Sequence, residues 1–192
     1  MPRVNLQVPI SEKDAAKQLG ARWDAQQKLW YVPENIHVAP FSQWLPKPLE
    51  PNIRAPCYRL LTGTRSCWRC QAPTRVFAIM LPAGYEAWIV EDDPEDDRWQ
   101  ESEADTILSY VGGLEESVAA RVRQFAPRYR VDFSQTTQSF YWMNHCERCE
   151  AKLGDFETIQ EFDSPFHDVD AGLVKRHDIA EPFVGRCGSH TL

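Results

Sequence analysis

The sequence has 192 residues, enough for one ordinary domain or two small ones. Hydrophobic residues make up 43% and charged residues 26%, which excludes a wholly disordered chain. The longest apolar run, Val76 to Leu81, is too short to span a bilayer, and the first residues lack the apolar stretch of a secretory signal. We therefore expect a cytoplasmic protein without a membrane partner.

The formal net charge is −7, but the charge is unevenly distributed. Residues 1–90 contain eleven Lys and Arg against six Asp and Glu, whereas residues 91–117 contain eleven Asp and Glu against one Arg. Within the acidic block at 91–105, residues 91–97 are most simply a solvated loop held open by repulsion, with a regulatory or DNA-mimicking role as the alternative. A local basic face in the first ninety residues still allows a polyanionic partner.

The first predicted elements lie within residues 1–46. Apolar and polar side chains alternate over residues 4–8, which predicts a strand, and a helix is expected from Ser11 to a stop at Gly20. Residues 29–32 predict a second strand, and a short helix over 39–45 completes a β-α-β-α module. The expected core anchors of this module are Trp23, Trp30 and Trp44.

Prolines separate this module from the rest of the chain. Four of them between Pro46 and Pro56 restrict the residues before them to extended conformations, so we predict a linker at 47–56 and a second domain at 57–192. In that domain the apolar runs 75–81 and 85–90 flank Pro-Ala-Gly and predict a hairpin. The other predicted elements are a helix over 114–125 and strands over 129–133 and 140–143. The expected fold class is α+β, with more strand than helix.

Two Cys-x-x-Cys pairs, Cys67 with Cys70 and Cys146 with Cys149, give the clearest chemical signal. This spacing lets two thiolates from one tight turn bind the same ion, and two such turns complete a tetrahedron. In a reducing compartment, cysteines are more often metal ligands than disulfides. We therefore predict a single structural zinc in a zinc ribbon whose large α/β insertion, residues 71–145, returns its ends to one place. The alternative is two buried thiol pairs or redox-active turns.

Two cysteines remain outside this pattern. A second metal site formed by Cys57, Cys187 and His190 is one possibility. A remoter alternative is that Cys187 is a catalytic nucleophile. His145 directly precedes Cys146. Because adjacent side chains rarely point at one ion, we expect it to support the ligands rather than to be one.

Residues 20–24 (GARWD) and 28–33 (KLWYVP) form a recognisable motif. Over residues 4–46 the sequence resembles the GARWD and WYVP domain of unknown function, often attached to plasmid-borne primases, antirestriction-type proteins and other DNA-processing proteins. The resemblance brings no catalytic residues and implies a nucleic-acid context.

The second domain is similar to uncharacterised bacterial zinc-ribbon proteins. The matching segments are 67–70 (CWRC) and 141–149 (YWMNHCERC), and the resemblance implies a bound metal without implying an activity. The glycine usual after the last cysteine is replaced by Glu150, so the resemblance leaves the turn geometry of that cysteine pair open.

Candidate nucleic-acid contacts surround these motifs. Five arginines lie between Arg54 and Arg75, around a stretch free of acids, and arginine suits phosphate. A tryptophan between two ligand cysteines should be exposed for stacking, and basic residues beside Trp23 would form a second such face. The alternatives are that the module's tryptophans form its core and that the arginines pair with the acidic block. The candidate contacts are Arg22, Trp23, Lys28, Arg65, Trp68 and Arg69.

Together these patterns favour a non-enzymatic zinc-binding protein that contacts nucleic acid or a nucleic-acid-processing complex. The alternative is a protein–protein adaptor that uses the acidic loop or the aromatic strand at 140–142. A thiol or metal enzyme ranks last, because four thiolates saturate zinc and no H-E-x-x-H, G-x-S-x-G or phosphate-loop motif is present.

Overall fold

The computed structural model describes residues 3–167, 169 and 172–190, with the backbone alone for residues 189 and 190. The fold is α+β, as predicted, and strands far outnumber helices. The chain separates into two compact units. One is the chain up to Pro48 together with Gln135–Phe140, and the other is Leu49–Ser134 together with the chain from Tyr141 onward.

The N-terminal unit contains the predicted strand, helix, strand and helix, and one further strand. Its elements are β1 (Val4–Leu6), a 3-10 turn (Ile10–Glu12), α1 (Lys13–Gln18), β2 (Arg22–Asp24), β3 (Leu29–Val32) and a 3-10 helix (Ala39–Trp44). The antiparallel sheet has the order β1-β3-β2. Gly20, at φ +100°, ends the α1 region in the left-handed conformation that glycine tolerates best.

Tryptophans serve different purposes in this unit. Trp44 is 2% exposed, and its indole Nε1 donates to Glu12 Oε2 at 2.6 Å. Trp30 packs against the same core, which also contains Phe41. Trp23 is 49% exposed and lies beside Trp30, with ring centroids 5.7 Å apart. The predicted core role is therefore confirmed for Trp44 and Trp30 and is wrong for Trp23, which lies on the short edge strand β2.

The second unit is built around an eight-stranded sheet. Its elements are β4 (Ile53–Ala55), β5 (Tyr58–Ser66), β6 (Pro73–Leu81), β7 (Glu86–Ile89), β8 (Arg98–Glu101), β9 (Thr106–Leu114), α2 (Glu116–Phe125), β10 (Tyr129–Ser134), β11 (Ser139–His145), β12 (Lys152–Leu153), β13 (Lys175–Ile179) and β14 (Phe183–His190). The large sheet has the order β13-β5-β6-β9-β14-β4-β7-β8. A three-stranded sheet has the order β10-β11-β12.

Strand pairing corrects two expectations. The predicted hairpin of 75–81 with 85–90 is wrong, because β6 pairs with β5 and β9 while β7 pairs with β4 and β8. The connection between them is held by Asp105, whose Oδ1 accepts from the Ala83 N–H at 2.8 Å. Part of the predicted linker is also sheet, since β4 lies between β14 and β7.

The longest apolar run of the sequence is the strand β6, and it is buried on both faces. Successive side chains of a strand point to opposite faces, so a strand between two cores is apolar throughout. Val76, Ala78 and Met80 pack in a core that includes Cys67 and Cys146, and Phe77, Ile79 and Leu81 pack in a larger core with α2.

Candidate metal centre

The first cysteine pair lies at the tip of the β5–β6 hairpin. We call residues 67–72 the first knuckle. The Cys67 N–H donates to Ala72 O, and the Gln71 N–H donates to Cys67 O, both at 2.9 Å. Gln71 has φ 55°, in the left-handed region that closes the turn. These bonds turn the chain so that Cys67 and Cys70 stand on the same side of the tip.

The second knuckle, residues 146–151, joins β11 to β12 and repeats this geometry. The Cys146 N–H donates to Ala151 O at 2.9 Å, and the Glu150 N–H donates to Cys146 O at 3.0 Å. Glu150 has φ 60°, in the left-handed region that glycine tolerates best, so this turn closes with a non-glycine residue. The carboxylate of Glu150 pairs with Arg128 and, at 3.0 Å, with Arg130. These ion pairs hold Glu150 in place although a left-handed backbone is unfavourable for a residue other than glycine.

The two knuckles bring four sulfurs together. Cys67 Sγ lies 3.7 Å from Cys149 Sγ, and Cys70 Sγ lies 3.7 Å from Cys146 Sγ. All four sulfurs lie within 4.8 Å of one another. Tetrahedral zinc with bonds of about 2.3 Å needs sulfurs about 3.8 Å apart. The four thiols therefore lie close enough to hold one metal ion, and their number and softness are compatible with zinc.

The electrostatic surroundings of Cys146 favour its ionised form. Burial opposes ionisation of this thiol, but the backbone N–H groups of Cys149 and Arg148 point at its sulfur, and the balance lowers the pKa of Cys146 to about 6. The backbone N–H of Ala151 lowers the pKa of Cys149, but burial and the neighbouring thiols outweigh it and raise that pKa to about 11. A metal binds thiolate rather than thiol, so the surroundings favour deprotonation of Cys146 but not of Cys149.

Asn144 ties the two knuckles together, and sequence reasoning did not single it out. Its side chain is fully buried, with Oδ1 accepting from the Phe77 N–H at 2.8 Å and Nδ2 donating to Phe77 O at 2.9 Å. The amide thus pairs β11 with β6 as a neighbouring strand would. A second link joins the Glu147 N–H to Thr74 Oγ1 at 3.0 Å. These contacts bring the two ends of the long insertion, residues 71–145, together. In the sequence, the signal for the role of Asn144 was a polar residue within a strand of aromatic residues.

His145 does not face the sulfurs, in agreement with its predicted supporting role. Its Nε2 lies 2.9 Å from Asp132 Oδ2, and its Nδ1 lies 2.9 Å from Met143 O. Asp132 also pairs with Lys152 at 2.8 Å. Burial raises the pKa of Asp132, but the hydrogen bonds from His145 and Lys152 outweigh it and lower that pKa to about 2. This network, in which His145 alone is fully buried, links β10, β11 and β12 beside the second knuckle.

Among the described residues, the alternative that the arginines around the first knuckle pair with the acidic block holds for Arg59 alone. Arg65 pairs with Glu157 at 3.1 Å, and its Nη1 donates to Thr158 Oγ1. Arg59 pairs with Asp105, at the end of the block. Arg69 is exposed and has no ion pair in the described part of the chain. Of the predicted phosphate contacts here, Arg69 is therefore available, whereas Arg65 is committed to Glu157.

Trp68 stands on the surface of the first knuckle, as expected from its position. The side chain is 57% exposed, and its Nε1 donates to Lys152 O at 2.8 Å. One edge of the indole is thus anchored while much of the ring remains open to solvent.

The predicted basic face of the N-terminal unit does not form as one surface. Trp23 lies opposite Trp30, and Arg22 lies opposite Tyr31. Because successive side chains alternate, Arg22 and Trp23 are on opposite faces of β2. Lys28 is exposed in the β2–β3 turn, at φ 54°.

The second metal site considered at Cys57, Cys187 and His190 lies only partly within the described residues. Within the described residues, the four-cysteine cluster is the one group of three or more side chains suited to a metal. Cys187 is buried, which raises its pKa to about 12, and this opposes a role as nucleophile. The side chain of His190 lies outside the described residues. Tyr141 and Trp142 are buried, so the aromatic strand is wrong as an adaptor surface.

Comparison with known proteins gives a match for the N-terminal unit. Residues 3–46 match the family described as "Domain of unknown function (DUF5710)". Two proteins of Escherichia coli, both named DNA primase TraC, are 55% and 57% identical over 42 residues. That segment is 22% of this chain and 4% and 3% of those proteins, so the chain spans only a small part of the curated relatives it matches.

No solved structure matches the chain. Among the described residues, no helix is long and apolar enough to cross a membrane. The resemblance inferred from the GARWD and WYVP motifs is confirmed, and it concerns residues 3–46 alone.

Proposed function

We propose that this protein is a zinc-stabilised nucleic-acid-binding protein without catalytic activity of its own. The observation that carries the proposal is the four-sulfur cluster between two hairpins, in a chain whose N-terminal unit matches a segment of DNA primase TraC.

A structural role fits the metal centre better than a catalytic one. Four thiolates fill the tetrahedron of zinc and leave no coordination position for a substrate. Cys67 and Cys146 are buried in the smaller core, so a bound zinc would supply folding energy by fixing the two hairpins to each other.

Nucleic-acid binding is supported by the surface next to this centre. Trp68 offers an exposed ring, and one stacked base contributes about 1–3 kcal/mol. Arg69, its neighbour, has the planar guanidinium that binds phosphate oxygens in pairs. The family context of the N-terminal unit points to the same class of partner.

Two measurements test the proposal. Elemental analysis of the purified chain should give one zinc per molecule, and replacing Cys146 with Ser should lower that ratio whereas Cys57→Ser should not. Fluorescence anisotropy with labelled single-stranded and duplex DNA should show affinity that falls with salt, with a log–log slope of about −2 to −4 for a few phosphate contacts. Absence of zinc, or no DNA or RNA affinity at low salt, would contradict it.

The acidic loop supports a second candidate, a protein adaptor. Asp92, Glu95 and Asp96 make no ion pair in the described structure, and the loop is largely exposed. A basic protein segment is the complementary partner. If a lysine-rich peptide binds the chain, and the triple change Asp92→Asn, Glu95→Gln and Asp96→Asn abolishes that binding while nucleic acid never binds, the adaptor function replaces the first proposal.

A further inference from the structure

The two knuckles are a short internal repeat. Residues 67–72 and 146–151 both read C-x-R-C-[Q/E]-A, and both contain the same pair of backbone hydrogen bonds and the same left-handed fifth residue. Arg69 and Arg148 therefore hold equivalent positions, each between two cysteines of the four-sulfur cluster.

These two arginines differ from all the others in the second unit. Thirteen arginines lie from Arg54 to Arg186. Eleven form an ion pair or a hydrogen bond with another residue; they are Arg54, Arg59, Arg65, Arg75, Arg98, Arg121, Arg123, Arg128, Arg130, Arg176 and Arg186. Arg69 and Arg148 alone have no such partner among the described residues, and both are exposed. Two exposed guanidinium groups therefore stand at matched positions, one in each knuckle, and each is suited to an anion.

The position equivalent to Trp68 carries an acid, Glu147, which could oppose an anion. Its carboxylate is paired with Arg75 at 2.6 Å, so it is not a free negative charge. The surface across the two knuckles thus presents two unpaired cations and one exposed indole.

We propose that Arg69 and Arg148 bind phosphates of a nucleic-acid backbone laid across the two knuckles, with Trp68 stacking on a base. This inference rests on the proposed function and adds Arg148, which the sequence motifs did not indicate. It competes with a purely local role, in which the arginines offset the two net negative charges of zinc with four thiolates.

The test uses the full zinc-loaded chain with Arg69→Gln, Arg148→Gln, the double variant and Arg186→Gln. Arg186 is an exposed arginine paired with Glu50, so its replacement is matched in charge. The probes are labelled oligothymidine and a duplex of equal length. On a single strand, each lost phosphate contact should reduce the salt slope by about 0.7 and weaken binding about eightfold at about 50 mM salt. The double variant should lose about 1.4 units of slope, and Arg186→Gln should change neither quantity.

Each outcome has a definite meaning. The inference is supported if the salt slope of binding decreases in both single variants while their zinc content is unchanged. Replacing either arginine with lysine should keep the wild-type salt slope, because lysine keeps the positive charge. If the wild type binds and the variants bind equally well, the inference is overturned while the proposed function stands. If the variants lose zinc instead and bind normally once zinc is restored, the arginines have the local role. If the wild type binds neither probe, both proposals fail.

Discussion

Replacing Asn144 with Ala tests the link between the two hairpins. The change removes two hydrogen bonds and leaves the buried N–H and C=O of Phe77 without partners. Each unpaired buried backbone group costs about 1–3 kcal/mol, so the free energy of unfolding should fall by about 2–6 kcal/mol. Domains of this kind have about 5–15 kcal/mol in total, so the loss should be severe.

The same change should weaken zinc binding. Asn144 lies two residues before Cys146, and Phe77 lies on the strand that follows the first knuckle. Without the two hydrogen bonds of Asn144, part of the free energy of metal binding must be used to bring the four sulfurs together. The affinity for zinc should therefore fall along with stability.

Asn52 provides a matched control. Its Nδ2 donates to Cys187 O and its Oδ1 accepts from the Cys187 N–H, both at 2.9 Å, so it makes the same pair of bonds to β14. Urea unfolding and a zinc competition titration with a chromogenic chelator should be run on Asn144→Ala and Asn52→Ala. Both variants should lose stability, but Asn144→Ala alone should lose zinc affinity. Equal zinc affinity in wild type and Asn144→Ala would refute this reasoning.

Three further predictions concern other sites. Burial raises the pKa of Asp155 to about 7 against an opposing hydrogen bond from the Tyr110 N–H, so the folded state binds this proton more tightly than the unfolded state. The contribution of Asp155 to stability is therefore full below about pH 4 and is lost as pH rises to 7, by about 4 kcal/mol at most. Thermal melts of Asp155→Asn should depend less on pH than those of the wild type between pH 4 and 7. Gln71→Gly relieves a left-handed residue but removes the hydrogen bond from Gln71 Nε2 to Trp68 O at 2.9 Å, so the two effects should nearly cancel in urea titrations. Gln71→Val keeps the backbone strain and loses the bond, so it should destabilise the fold. Removing zinc with a chelator should lower the melting temperature of the wild type and leave the melting temperature of Cys146→Ser unchanged. An identical shift in both proteins would contradict the assignment of Cys146 as a metal ligand.

Local signals explain why much of the site could be predicted. The spacing within each Cys-x-x-Cys pair fixes two ligands in one turn, so the four cysteines were identifiable although 75 residues separate the pairs. The apolar run likewise indicated a strand, which β6 confirms although its predicted partner was wrong. Both features depend on residues adjacent in the chain, where spacing and alternation translate directly into geometry.

Partners distant in sequence could not be predicted in the same way. The hairpin expected from the turn at 82–84 fails because β6 finds its neighbours in residues 58–66 and 106–114. The role of Asn144 depends on Phe77, 67 positions away. The arginines between residues 54 and 75 were expected to bind phosphate or to pair with the acidic block. The actual partners of Arg65 and Arg75, Glu157 and Glu147, follow from packing that no local pattern contains.

The double burial of β6 has a mechanical consequence. One face of this strand lines the core that includes Cys67, and the other lies beneath α2, so the strand cannot shift at one face without disturbing the other. An opening of the cysteine cluster is thereby transmitted to the helix-covered core as a single cooperative event. In native-state hydrogen exchange, amides of β6 and of α2 should then share one opening free energy, which rises and falls with the free zinc concentration.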